Sequence, residues 1–258
     1  MTYRHLKLEI SDHIASVRLN RPPVNALNRE LVSEMTSVAR EFQSARDTWV
    51  VTLTAEGKTF SAGADLKERA SIRDEEVLSV VQGIQAMTYQ WMLVPQPVIV
   101  GIQGPALGGG LELALSGDIL VGAESVRLGF PEVSLGIIPA AGGTQRLAQR
   151  TSLGVAKKWI LTAKQYTARE ALADGVLDFL YPDQSFNSEF ADIVAQISAN
   201  APLSLRQAKS ALNASYDEWL RHGLGRELDS YAPLIKTHDR KEALLAFAEK
   251  RKPGWEGK

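Results

Sequence analysis

Pro97-Val98-Ile99-Val100-Gly101-Ile102, followed by Gly104-Pro105-Ala106-Leu107-Gly108-Gly109-Gly110-Leu111-Glu112, reads as a strand, a glycine-rich turn and the start of a helix. That helix, from about Gly109 to Ser116, opens on glycines. Its first N–H groups are therefore unpaired and stand at the positive end of the helix dipole. Asp118-Ile119-Leu120-Val121 then restarts the sheet. Strand, helix and strand in this order predict an α/β fold with a mostly parallel sheet.

The same alternation extends toward the N-terminus. Leu6-Lys7-Leu8-Glu9-Ile10 and Ile14-Ala15-Ser16-Val17-Arg18-Leu19 alternate as strands do. Asn28 is placed to cap a helix carrying Leu31, Met35, Val38 and Phe42 on one face. Trp49-Val50-Val51-Thr52-Leu53 reads as a short buried strand, and Asp74 to Met92 as an amphipathic helix ending before Pro95 and Pro97. From about Ser188 the pattern is almost wholly helical. Helices are expected over Asn187 to Asn200, Leu203 to Ser215, Tyr216 to Tyr231 and Arg240 to Arg251, punctuated by Pro202 and Pro233. The division expected is a core over residues 1–195 that holds the active site, and a helical region over 196–258.

Composition narrows the chemistry. The chain has 258 residues, a net charge of -1, 45% hydrophobic and 23% charged residues, which suits a globular protein. That balance gives no global attraction to nucleic acid or acidic membranes. Cysteine is absent, which excludes disulfides, thiolate metal sites and a cysteine nucleophile. No apolar run reaches the roughly 18 residues of a membrane span, and the N-terminus lacks a signal-like apolar stretch, so a cytoplasmic location is expected. His5, His13, His222 and His238 show no metal-ligand spacing, and no G-x-S-x-G elbow appears.

Phe60-Ser61-Ala62-Gly63-Ala64-Asp65-Leu66 follows the strand ending near Thr54. Its N–H groups thus fall at the C-terminal edge of a sheet, where α/β folds bind ligands. Two small-residue segments that converge are able to hold one oxygen that gains negative charge. Two carboxylates, Glu112 and Glu132 in Pro131-Glu132, are then available to move protons beside it. Such a set makes and quenches an enolate. Taken singly, each feature has a plain explanation. Glycines serve tight turns, Glu112 sits at a helix N-terminus that favours acids, and Glu132 suits a solvated loop.

Together these segments resemble the crotonase (enoyl-CoA hydratase/isomerase) superfamily. The resemblance includes Asn20-Arg21-Pro22 with Asn25-Ala26-Leu27, Phe60 to Leu66, Gly104 to Asp118, and Pro131-Glu132 with Leu135-Gly136-Ile137-Ile138-Pro139. It continues through Gly142-Gly143-Thr144-Gln145-Arg146-Leu147 and Ala246 to Arg251, so it spans essentially the whole chain. It implies a crotonase-like ββα spiral core with a C-terminal helical trimerisation region, and a homo-oligomer, trimer or dimer of trimers. It implies that the N–H groups of Ala64 and Gly109 form an oxyanion hole for an acyl-CoA thioester. Glu112 and Glu132 are implied to be the acid–base pair. Ala62, Ala64, Asp65, Leu66, Lys67, Gly109, Phe247 and Lys250 are implied to bind substrate or CoA. As plain sequence, Phe247 reads as a core residue of the last helix. No cofactor is expected, CoA being part of the substrate, and no metal.

The activity expected is hydration of 2-enoyl-CoA. A Δ3,Δ2-enoyl-CoA isomerase is the alternative, and the Pro22-Pro23-Val24-Asn25 turn fits both. Ala64 to Ala70, Gly110 to Leu115 and Asp239 to Arg251 also resemble 3-methylglutaconyl-CoA hydratases, one of which binds RNA through a lysine-rich helix. Here the matching helix, Arg29 to Ala45, has Arg29 and Arg40 but no lysine, and Glu30, Glu34 and Glu41 interrupt it. A phosphate-tracking stripe needs clustered positive charge, so no nucleic-acid partner is expected.

Overall fold

The computed structural model describes residues 3–258. The chain opens with β1 (Leu6–Ser11), β2 (Ile14–Leu19), α1 (Arg29–Ser44) and β3 (Val50–Ala55). Next come α2 (Leu66–Ala70), α3 (Asp74–Met92), β4 (Val98–Ile102), β5 (Ala106–Leu107), α4 (Gly109–Ala114), β6 (Ile119–Ala123) and β7 (Arg127–Gly129). A 3₁₀ turn (Glu132–Leu135) leads to α5 (Gly143–Arg150), α6 (Leu153–Thr162), β8 (Gln165–Thr167), α7 (Ala168–Ala173) and β9 (Phe179–Tyr181). The last third holds α8 (Phe186–Ser198), α9 (Pro202–Tyr231), a 3₁₀ turn (Ala232–Lys236) and α10 (His238–Glu249).

The main sheet has the order β1-β2-β3-β4-β6-β9. Its first pair is antiparallel and the others are parallel, as the alternation of strands and helices predicts. A smaller sheet has the order β5-β7-β8, with β5 parallel to β7. β3, β4 and β6 are apolar because layers cover both their faces. Asn28 caps α1 by accepting from the Leu31 N–H, and Leu31, Met35, Val38 and Phe42 are all buried against the sheet. Among the described residues no helix is long and apolar enough to cross a membrane.

Two expectations need correction. The stretch Leu203 to Tyr231 is one helix, α9, not two; no proline interrupts it after its first residue. Phe247 is not a core residue, being 56% exposed on α10. Its neighbours Ala243 and Ala246 face inward instead. Periodicity assigns large apolar residues to the core by default, and here the inward face of α10 is made of Arg240, Ala243 and Ala246.

A second apolar cluster joins Val77 and Val81 of α3, Ile137 and Ala140, Tyr231 at the end of α9 and Ile235 in the 3₁₀ turn after it. The C-terminal helices thus lie back on the strand-rich part of the same chain.

Candidate active site

The site is assembled by short parallel bridges. Ser61 bridges to Ala106 of β5, and Leu27 bridges to Ala64. The Ser61 N–H donates to Pro105 O at 3.2 Å, and the Leu107 N–H returns to Ser61 O at 3.0 Å. Leu27 N donates to Gly63 O at 2.8 Å, and Asp65 N to Leu27 O at 3.1 Å. This register leaves the Ala64 N–H out of the ladder. Gly109 is the first residue of α4, so its N–H is one of the helix's orphan donors. Among the described residues neither N–H has a hydrogen-bond partner. The two segments press together: a Cβ on Gly109 would lie 3.5 Å from the Ala64 nitrogen.

The Asn20 to Leu27 motif acts as a clamp on this arrangement. Asn25 Nδ2 donates to Glu56 O at 2.9 Å and Thr59 O at 2.8 Å. Arg21 pairs with Asp65 at 2.7 Å, and Asp65 in turn caps α2 through the Lys67 and Glu68 N–H groups.

β5 and β7 run parallel, so the segments that leave their C-terminal ends emerge side by side. The first carries Gly108 to Glu112, the second Phe130 to Glu132. That is why the two acids meet. Gly108 has φ +52, and a Cβ there would lie 2.5 Å from Glu132 Oε1. The glycine therefore lets Glu132 lie against the Gly108–Gly109 turn. Glu112 is 3% exposed and Glu132 8%. Glu112 Oε1 accepts from Ala141 N at 2.7 Å and Gly143 N at 2.8 Å. Glu132 Oε2 is buried with no partner.

Burial pushes the Glu112 carboxyl up to about 8; the negative charge of Glu227 adds to this, and the Gly143 and Ala141 N–H groups oppose it. Burial, then the charge of Glu112, raises Glu132 well above the ordinary carboxylate range. Two acids in one apolar site do not both ionise near neutrality. The two N–H donors favour the charge on Glu112, so of the two acids Glu112 gives up its proton first and Glu132 keeps its own to higher pH.

Both acids line one cavity of about 70 Å³ with Ala62, Ala64, Leu66, Gly108 and Gly109. Val81, Ile84, Ile137, Ile138 and Ala140 form its apolar wall. An adjoining cleft is lined by Ala62, Ala64, Asp65, Leu66, Lys67 and Phe247, together with His5 and Arg21. Lys250 is exposed at the end of α10 and lines neither space.

Two polar residues in the cavity wall escape sequence reading. Arg69 of α2 is 9% exposed and Tyr231 of α9 is 1% exposed. The guanidinium lies over the tyrosine ring at 5.5 Å. Arg69 Nη2 and the Tyr231 hydroxyl are both buried without partners. Burial lowers Arg69 to about 10, the nearby Arg240 lowers it further, and Glu132 opposes this. Nothing local marks either residue. Only the tertiary docking of α9 onto α2 and α3 brings them together.

A model of the enoyl-CoA hydratase/isomerase family matches residues 9–258. An enoyl-CoA isomerase/hydratase of Mycosarcoma maydis is 41% identical over 93% of this chain and 91% of its own. The mitochondrial methylglutaconyl-CoA hydratase of Mus musculus is 37% identical over 98% of this chain and 82% of its own. The crystal structure of an enoyl-CoA hydratase from Bacillus anthracis superposes with a TM-score of 0.81 at 38% identity, covering 99% of this chain and 100% of that one.

Proposed function

Because the chain belongs to the enoyl-CoA hydratase/isomerase family, the crotonase superfamily, we propose that it hydrates 2-enoyl-CoA thioesters whose acyl chain carries a carboxylate. The Ala64 and Gly109 N–H groups bind the thioester oxygen. Charge builds there as water adds, and fixed donors hold it without reorganising; one such donor is typically worth about 3–4 kcal/mol of barrier. In the fraction of molecules where it is ionised, a fraction that grows as pH approaches about 8, Glu112 holds a water and takes one of its protons while the oxygen bonds to C3. The C2=C3 π electrons move into the enolate. Glu132, as acid, gives its proton to C2 when the enolate collapses. The added atoms are one hydroxyl at C3 and one hydrogen at C2. Proton transfer from Glu112 to Glu132 then restores the pair. In reverse the same groups remove water.

The observation that carries the substrate class is Arg69. A buried guanidinium with an unpartnered Nη2 is costly unless an anion reaches it, and Glu132, the nearby acid of the wall, holds its proton. The Tyr231 hydroxyl stands beside it as a second donor. A carboxylate on the acyl chain satisfies both, whereas a plain alkyl chain satisfies neither. The similarity to a methylglutaconyl-CoA hydratase supports the same choice.

The test compares hydration of glutaconyl-CoA and crotonyl-CoA by wild type and Arg69→Met. Wild type is expected to prefer the carboxylated thioester. The variant should lose about 10- to 100-fold in kcat/KM on that substrate, the range of one charged hydrogen bond, with little change on crotonyl-CoA. Equal losses on the two substrates would refute the carboxylate contact.

A further inference from the structure

Glu227 lies on α9 one helical turn before Tyr231 and is 3% exposed. It lines no part of the cavity. Its contacts nevertheless interleave with those of Glu112. Along the turn from Ala141 to Thr144, successive N–H groups go to alternate carboxylates. Ala141 N and Gly143 N donate to Glu112 Oε1. Gly142 N donates to Glu227 Oε2 at 2.7 Å, and Thr144 N donates to Glu227 Oε1 at 3.1 Å. The Thr144 hydroxyl donates to the same oxygen.

Other bonds lock this turn. Gln85 Nε2 of α3 donates to Ala140 O at 3.2 Å, to Leu224 O at 3.1 Å and to Glu227 Oε2 at 3.4 Å. Arg146 Nη1 donates to Ala141 O at 2.7 Å and to Thr88 Oγ1 at 3.3 Å. Successive N–H groups of a turn form an anion-binding concavity. Here the concavity holds two acids, one facing the cavity and one behind it.

Building on the reading of Glu112 as the base, we infer that Glu227 is a positioning residue for that carboxylate. By drawing the Gly142 and Thr144 N–H groups to the rear of the turn, it leaves those of Ala141 and Gly143 aimed forward at Glu112. Burial raises the Glu227 carboxyl above its ordinary value against the Thr144 and Gly142 donors and Arg146; as carboxylate it resists a second charge on Glu112. Glu112 and Glu132 face it from the cavity side, Arg146 from α5 and Tyr216 from α9.

The experiment uses Glu227→Gln and, as a milder change, Thr144→Ala, in the full-length protein. Four quantities are measured: melting temperature, kcat, KM, and the protonation midpoint of Glu112. The midpoint is read by infrared titration of the buried carboxyl band that Glu112→Gln removes. For Glu227→Gln the expected results are kcat lower on the order of 10- to 100-fold, KM unchanged, and a Glu112 midpoint below the wild type's. Thr144→Ala should lower kcat severalfold at unchanged KM. A Glu227→Gln protein with normal kcat and an unmoved midpoint overturns the inference, whatever its melting temperature. If that variant does not fold, normal kcat in Thr144→Ala overturns it instead. If wild type hydrates no enoyl-CoA, the reading of function fails, and the infrared midpoint alone decides the role of Glu227.

Discussion

Glu112 and Glu132 are each unremarkable as sequence; their chemistry comes from being buried together beside two free N–H groups. Glu112 binds its proton more tightly in the folded protein than at the ordinary value of 4.5, its carboxyl being raised to about 8. Folding therefore takes up a proton in that window, and stability falls as pH rises from 4.5 toward 8. Glu112→Gln removes this titration. Its melting temperature is expected to exceed the wild type's by a margin that widens across the window, measured by calorimetry at several pH values. Parallel curves would mean that Glu112 titrates normally. The motifs made these two acids legible, because glycines and a proline mark their turns. Tyr231 and Glu227 were not legible, since each sits in an ordinary helical stretch; Arg69 lies within the Ala64 to Ala70 resemblance, but only tertiary docking shows that it lines the cavity.

At the scale of elements, the decisive contact is the crossing of the Ser61 segment with the start of α4. A Cβ on Gly110 would lie 2.4 Å from Ser61 O and 2.7 Å from Ser61 Cβ, so the backbones must separate to accept one. Gly110→Ala is expected to pull Gly109 away from Ala64 and lower kcat by about 10²-fold or more. Gly83→Ala serves as the contrast. Its Cβ meets nothing within 4 Å in the middle of α3, and it should stabilise by roughly 0.5–1 kcal/mol at unchanged activity. Kinetics and urea unfolding of the pair separate the two outcomes. β1 to β4, β6, α1, α3, α4, α8 and α10 were legible because strands, caps and prolines act locally, whereas α2, α5, α6, α7 and β9 were not read. The small sheet was not, since β5, β7 and β8 span only two or three residues each and exist by pairing. The break expected within α9 was a wrong reading of a polar helix whose apolar contacts are sparse.

For the molecule as a whole, the tie between the C-terminal helices and the core includes Arg240 with Asp74. They meet at 3.0 Å, with side chains 3% and 31% exposed. The asymmetry of burial makes the two truncations unequal. Asp74→Ala leaves a buried guanidinium with its charge uncompensated and the Ile235 carbonyl as its remaining partner, and is expected to cost on the order of 3 kcal/mol. Arg240→Met leaves a carboxylate that water reaches, and should cost clearly less. Urea denaturation of both variants checks the order; equal losses would show that the pair is solvated. The layered α/β part follows from alternation along the sequence. How the helical tail closes on it does not, because that depends on shape at a distance.

The placement of Tyr231 also has a consequence for the order in which the protein is made. Synthesis runs from the N-terminus, so both glutamates and the glycine turns leave the ribosome early. The wall opposite them, and the acid that braces the Ala141–Thr144 turn, emerge only with the final helices. A nascent chain halted before Tyr231 therefore holds both glutamates without the full chamber whose burial makes them hold their protons more tightly, and the cavity is complete only once the tail has docked.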